Sequence, residues 1–286
     1  MDRRTTPFSG RVAHASLRGQ LEAEVWTDGT PARIAAPLVD LNARPHGPRD
    51  RQVLWGDRVL VIDRQDGHAH VMADKDGYCG WIAETALGPD HAVTHRVAAP
   101  FSQLYPEPRV SAHEICTLPY AAQVQVLDTE GKFARTPQGW VPVAHLRPVD
   151  AHDPDPVAVA LGFLGTPYLW GGNSRAGLDC SGLAQGALLA CGIACPGDSD
   201  LQSTLGRELA PDEPVRAGDL VFWKGHVALV SGPDEIIHAT GAFMAVVREP
   251  LTGAVARILG QGNGPVTHRR RVRGWSELAP RNPSRA

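Results

Sequence analysis

The chain has 286 residues, 43% of them hydrophobic, and a formal net charge of -3, enough apolar content for two or three compact units. Acids and bases are mixed along its length, so there is no basic stripe for nucleic acid and no polybasic membrane patch. No uninterrupted apolar run reaches the length that spans a bilayer.

The first segment, residues 1–30, opens with MDRRTTPFSGRVAHASLRGQ, which has positive charges but no apolar stretch behind them. The hydrophobic region of a secretory signal is therefore missing, and a cytoplasmic protein is expected. Within this segment ASLRGQLEA reads as a short helix. The five cysteines, Cys79, Cys116, Cys180, Cys191 and Cys195, form an odd set without a framework, which suits free thiols in a reducing compartment. The spacing of Cys191 and Cys195, with no second pair, reads as small buried residues rather than half a metal site.

An internal repeat follows. VLWGDRVLVID and DGYCGWIAETAL are echoed by LPYAAQVQVLD and TPQGWVPVAHL, with a leucine six positions after the Gly-Trp tryptophan in each copy. Alternating apolar positions, broken by Gly, Pro and Asp, predict short antiparallel strands curled into small barrels over 31–92 and 93–149. Residues 80 to 87 and 139 to 146 resemble the Gly-Trp-Val strand and short turn of bacterial SH3-like domains. RPVDAHDPDPVAVA then reads as a linker feeding a helix, so a third unit is expected over 150–286.

In that unit VAVALGFLG reads as a helix ended by Gly165, and SGLAQGALLACG as a second one. Leu183, Ala184, Ala187, Leu188 and Cys191 share a face of the second helix, and Gly192 stops it. GDLVFW, HVALVSG and EIIHAT read as strands joined by tight turns. Helices on an antiparallel sheet make this unit α+β.

WGGNSRAGLDCSG holds the chemistry. If the helix begins at Cys180, its thiol sits at the positive end of the helix dipole, which lowers a thiol pKa from about 8.5. The bland alternative is a cysteine packed as a small hydrophobe. The glycines here are expected to let a substrate backbone approach closely. His226 starts an apolar strand and is a candidate base; His238 is a second. Pairing Val230 with Asp234 in a hairpin would set His226 directly across from His238, Cβ atoms roughly 4.5 to 5.5 Å apart, and a two-residue slip would make them diagonal. One imidazole can then take the thiol proton while the other holds its tautomer. A zinc site built from both histidines and Cys180 is the competing arrangement. The other ten histidines show no such convergence.

Three motifs, PYLWGGNSRAGLDCSGL, GDLVFWKGHVALV and IIHAT, resemble the NlpC-type bacterial cell-wall peptidases, a papain-like family, over roughly residues 155 to 260. The resemblance implies a papain-like catalytic domain preceded by two SH3-like β-barrels, with Cys180 as nucleophile, His226 as base and His238 as orienting residue, and no cofactor or metal. It also implies hydrolysis of the γ-D-glutamyl to diamino acid bond in murein stem peptides with a free N-terminal L-Ala, as in peptide recycling. The substrate L-Ala-γ-D-Glu-diamino acid would be bound by Tyr168, Asp179, Ser181, Asp198 and Ser199, with Trp170 beside them and Tyr78 of the first barrel reaching the cleft. An L-Ala ammonium calls for carboxylates. Each residue has a plainer use: Asp179, Ser181, Asp198 and Ser199 as helix caps, and Tyr168, Trp170 and Tyr78 as packing aromatics. Family members often carry Arg before the Asp-Ser pair, where this chain has Gly197. The competing function is a tandem SH3-like binding module for wall peptides or a protein partner, with a vestigial or acyltransferase-like third domain.

Overall fold

A computed structural model describes residues 1–272; residues 273–286, which the sequence assigns to the third unit, lie outside the described part. The chain divides into two compact units, one of residues 1–151 with Asn173–Arg175, the other of His152–Gly172 and the chain from Ala176 onward.

In the first unit seven strands, β1 (Thr30–Ile34), β2 (Leu38–Asn42), β3 (Arg49–Leu54), β4 (Arg58–Gln65), β5 (His68–Ala73), β6 (Cys79–Ala83) and β7 (Leu87–Pro89), form one sheet in the order β3-β2-β6-β5-β4-β1-β7. Alternate residues of these strands, among them Ile34, Leu41, Val53, Val59, Val71 and Ile82, point inward to one core, as the period-2 pattern dictates. Short strands from His95–Val97 to Leu146–Pro148 enclose a second cluster of Val97, Leu104, Leu118, Val124 and Val141. Both copies of the repeat fold alike after their tryptophan. Cys79–Ala83 and Gly139–Pro142 each run into a single 3-10 turn, Glu84–Ala86 and Val143–His145, and then a three-residue strand. The predicted N-terminal helix is only a 3-10 turn over Ala15–Leu17, because Gly19 adopts φ 80°, which a helix cannot continue.

The second unit holds four α-helices among the described residues, α1 (Pro156–Leu161), α2 (Cys180–Ala190), α3 (Ser199–Gln202) and α4 (Leu251–Gly260). Helix α1 stops at its C-cap Gly162, earlier than the Gly165 expected, and the chain turns on through Gly165 at φ 76°. Six strands, β8 (Arg207–Glu208), β9 (Leu220–Trp223), β10 (His226–Gly232), β11 (Glu235–Thr240), β12 (Ala245–Pro250) and β13 (His268–Arg271), pair in the order β8-β13-β9-β10-β11-β12. Helices α1 and α2 both pack against β10 and β11, while α4 lays Ala254 and Ile258 onto Val221, Trp223, Ala228, Val230 and Ile236. That is why β10 and β11 read as nearly continuous apolar runs. No helix among the described residues is long and apolar enough to cross a membrane.

Candidate active site

Helix α2 begins at Cys180, and Asp179 is its N-cap, with extended backbone at φ -97°, ψ 177°. One carboxylate oxygen of Asp179 accepts from Gly182 N at 2.6 Å and from Ser181 Oγ at 3.0 Å; the other accepts from Gly171 N at 2.9 Å. A side-chain oxygen bonded to the third helical N–H is what an N-cap supplies. Cys180, 8% exposed, thus occupies the first helical position, where the dipole and first-turn N–H groups favour a thiolate.

The glycines of this loop serve the chain itself. A Cβ on Gly172 would fall 2.4 Å from Gly177 O, and one on Gly182 would fall 2.4 Å from Gly172 O. These approaches of backbone to backbone fold the loop tightly onto the head of α2. Tyr168 lies in the same neighbourhood, in a bridge with Leu178. Burial raises its phenol to about 12, with the negative charges of Cys180 and Asp179 adding to the effect. The phenol therefore stays protonated and can donate.

The imidazoles meet on the sheet. The β10–β11 ladder pairs Leu229 with Ile237 and Val230 with Ile236, two positions away from the expected pairing of Val230 with Asp234. The histidines are therefore diagonal neighbours rather than directly opposed. The cause is the connection: β10 runs on to Gly232, which pairs with Glu235, and the register shifts between Val230 and Gly232, as an extra residue bulges. The rings still reach, with His226 Nε2 2.8 Å from His238 Nδ1. His226 is also held by Trp223, ring centroids 5.7 Å apart. His238 is fully buried. Burial pushes the His226 imidazole down to about 3, helped by His238 and Arg257 and opposed by Glu249. Burial and Arg257 take His238 down to about 4. Both rings are neutral at neutral pH, so His226 can accept a proton.

The predicted residues thus fall into groups. Cys180, Asp179, Ser181 and Tyr168 cluster at the head of α2; His226 and His238 touch on β10 and β11, the strands α2 packs against. Ser199, buried, opens α3, whose Gln202 donates through Nε2 to Ser181 O at 2.9 Å. Asp198 stands at the N-cap of α3, its side chain making no capping bond to that helix, with φ 31°, a region that disfavours residues with a Cβ. Trp170 is 69% exposed. Tyr78 belongs to the first unit and is 2% exposed within its apolar core, with the Arg51 guanidinium 5.9 Å from its ring. Among the described residues no cluster of His, Cys, Asp and Glu has metal-binding geometry.

Two residues escaped the sequence reading. Glu249 Oε1 lies 2.8 Å from His238 Nε2, and Arg257 of α4 forms an ion pair with Glu249. The pairing of Ile236 with Glu249 across β11 and β12 brings the carboxylate there, and nothing local in VVREPL signals it.

Residues 165–256 match the NlpC/P60 family and residues 41–87 match the bacterial dipeptidyl-peptidase Sh3 domain. A gamma-D-glutamyl-L-lysine dipeptidyl-peptidase of Bacillus cereus is 31% identical over 240 residues, covering 71% of this chain and 70% of that protein. Dipeptidyl-peptidase 6 of Lysinibacillus sphaericus is 26% identical over 237 residues, covering 73% of this chain and 87% of that protein. The crystal structure of an NlpC/P60 family protein from Bacillus cereus is similar in fold, with a TM-score of 0.70 and 22% identity, covering 85% of this chain and 99% of that one.

Proposed function

The chain belongs to the NlpC/P60 family and is a cysteine-type peptidase with an SH3-like domain, and from that premise we propose that it cleaves the γ-D-glutamyl to diamino acid bond of peptidoglycan stem peptides bearing a free N-terminal L-Ala. The observation that carries the chemistry is the cysteine at the first position of a buried helix packed against the two strands that bear a neutral imidazole pair. Cys180 is the nucleophile and His226 takes its proton. The sulfur attacks the γ-carbonyl carbon, and His226 returns the proton to the departing amine. Water, deprotonated by the same ring, then frees the glutamyl carboxylate. His238 orients His226.

Substrate choice follows from charge. Asp179 accepts from three donors and lies near Tyr168, and a carboxylate beside a phenol suits the ammonium end of L-Ala. Ser181 holds Asp179 in place, and Asp198 and Ser199 stand at the start of α3, tied back to Ser181 through Gln202. Trp170 supplies an exposed ring for the peptide. The names of the relatives above support a dipeptide-releasing reaction. We assign residues 31–92 and 93–149 to two SH3-like barrels, on the shared strand, turn and strand of the repeat, and the papain-like catalytic domain to residues from 150 onward. A requirement for a free N-terminus fits soluble turnover fragments, hence recycling in the cytoplasm, which cell fractionation tests.

Incubation with L-Ala-γ-D-Glu-diaminopimelate and its N-acetylated form, followed by mass spectrometry, tests the function. Release of L-Ala-D-Glu from the free peptide alone is expected. Equal cleavage of both would remove the N-terminal requirement, and cleavage of neither would remove the activity.

A further inference from the structure

The contacts of His226 and His238 continue into Glu249 and Arg257, and we propose that Glu249 is a positioning residue that fixes the tautomers of both imidazoles and leaves His226 Nδ1 as the bare basic nitrogen. This rests on the reading of His226 as the peptidase base. An ionised carboxylate can only accept, and a neutral imidazole carries a single N–H. His238 Nε2 is buried, has no aligned hydrogen-bond partner, and stands 2.8 Å from Glu249 Oε1. The contact is off the line of a hydrogen bond, but the carboxylate still favours a proton on Nε2 over a lone pair. His238 Nδ1 is then an acceptor. Its neighbour at 2.8 Å, His226 Nε2, must donate to it, so the one N–H of His226 is used and its Nδ1 is free to take a proton. The opposite assignment would press a lone pair of His238 against a carboxylate in a water-poor interior, where unpaired polar groups are costly.

Arg257 anchors the carboxylate. Its guanidinium pairs with Glu249 and stands 5.3 Å from the Phe243 ring, with Gln261 Oε1 3.3 Å from Nη1. Other charged or titratable groups on the packed elements are Lys224 at the β9–β10 turn, Glu235 of β11 and Arg248 of β12, which pair with each other, Cys180 at the head of α2 with Asp179 and Tyr168 beside it, and Asp200 on α3; α1 contributes none, Asp155 being its cap. Of these, Glu249 is the acceptor facing His238 Nε2.

Long-range 15N spectra of the imidazoles test the assignment directly, without a variant. Both rings are expected as Nε2–H tautomers in the resting enzyme. In Glu249→Leu the His238 proton should move to Nδ1 or distribute over both nitrogens, and kcat should fall about tenfold to a hundredfold with KM little changed. Glu249→Gln, whose carbonyl still accepts, should keep the tautomers and most of kcat while the acid limb of the rate profile moves to lower pH, since the anion that favours imidazolium is gone. A His238 Nδ1–H tautomer in the resting enzyme, or unchanged spectra in Glu249→Leu, would overturn the proposal. Spectra of Cys180→Ala separate the two readings: hydrolysis by that variant would end the peptidase mechanism, whereas its imidazole tautomers still decide the role of Glu249.

Discussion

Asp179 shows how a single side chain serves structure and chemistry together. Its carboxylate satisfies two backbone N–H groups and one hydroxyl, so truncation removes a helix cap worth about 1 kcal/mol and leaves Gly171 N unpaired at a cost of about 1–3 kcal/mol. Asp179→Ala is therefore expected to lower unfolding stability by about 2–4 kcal/mol in chemical denaturation. It should also slow alkylation of Cys180, because the first turn that favours the thiolate frays. A loss below about 0.5 kcal/mol, a quarter of the smallest expected cost, would show that the cap is dispensable. For turnover, Cys180→Ala should abolish hydrolysis, His226→Ala should cost about 10²–10⁴-fold, the usual range for a lost general base, and His238→Ala less, since it acts through His226. Steady-state kinetics on one stem peptide rank the three. A His238 effect larger than that of His226 would reverse their roles.

The elements follow from the sequence where local chemistry decides them. The start of α2 is marked by an Asp before an apolar helical face and its end by Gly192, in the left-handed region at φ 73°; β9, β10 and β11 are bounded by Gly, Pro and Asp turns. Their register is not marked locally, because the shift beside Gly232 depends on how strands pair. The same dependence hides Glu249, which owes its place to its partner Ile236 across the sheet. Glycine roles are hidden for a related reason, since the neighbours that require them are remote in sequence or in the loop. Two glycines of α2 make this testable. Alanine at a helix interior gains up to about 1 kcal/mol over glycine. At Gly186 a Cβ meets nothing within 4 Å, so Gly186→Ala should stabilise by that amount. At Gly182 the Cβ would meet backbone oxygen Gly172 O at 2.4 Å, and overpacking of about 1–3 kcal/mol outweighs the gain. Gly182→Ala should destabilise and slow Cys180 alkylation. Denaturation of the two variants side by side measures the difference, and a stabilised Gly182→Ala would refute the steric account.

Across the whole molecule, the buried titratable groups are divided unequally between the two units. The first holds His70, which burial lowers to about 4, and Asp57, which burial raises to about 6. The second holds His226 and His238, both lowered. A base with a depressed folded pKa binds less proton folded than unfolded, so its unit loses stability as pH falls from about 6.5 toward the folded value. An acid with a raised folded pKa is the reverse: protonation near pH 6 relieves its burial, and its unit gains. Between pH 7 and pH 5 each buried imidazole costs about 2 kcal/mol, and Asp57 returns about 1.4 kcal/mol. His70 and Asp57 nearly cancel, leaving the first unit within about 1 kcal/mol of its neutral stability. The second has no such offset and should lose about 2–4 kcal/mol, the lower figure applying because His226 is only partly enclosed by its neighbours. Hydrogen exchange at pH 7 and pH 5, corrected for intrinsic rates, reads each unit through its own strands. Amides of β10 and β11 should lose protection by a factor of about 30 to 1,000, while those of β4 and β5 change less than about tenfold. Equal losses in both sets would mean that the imidazole pair is not buried neutral in the folded enzyme, and with that its service as a proton acceptor near neutral pH would fail as well.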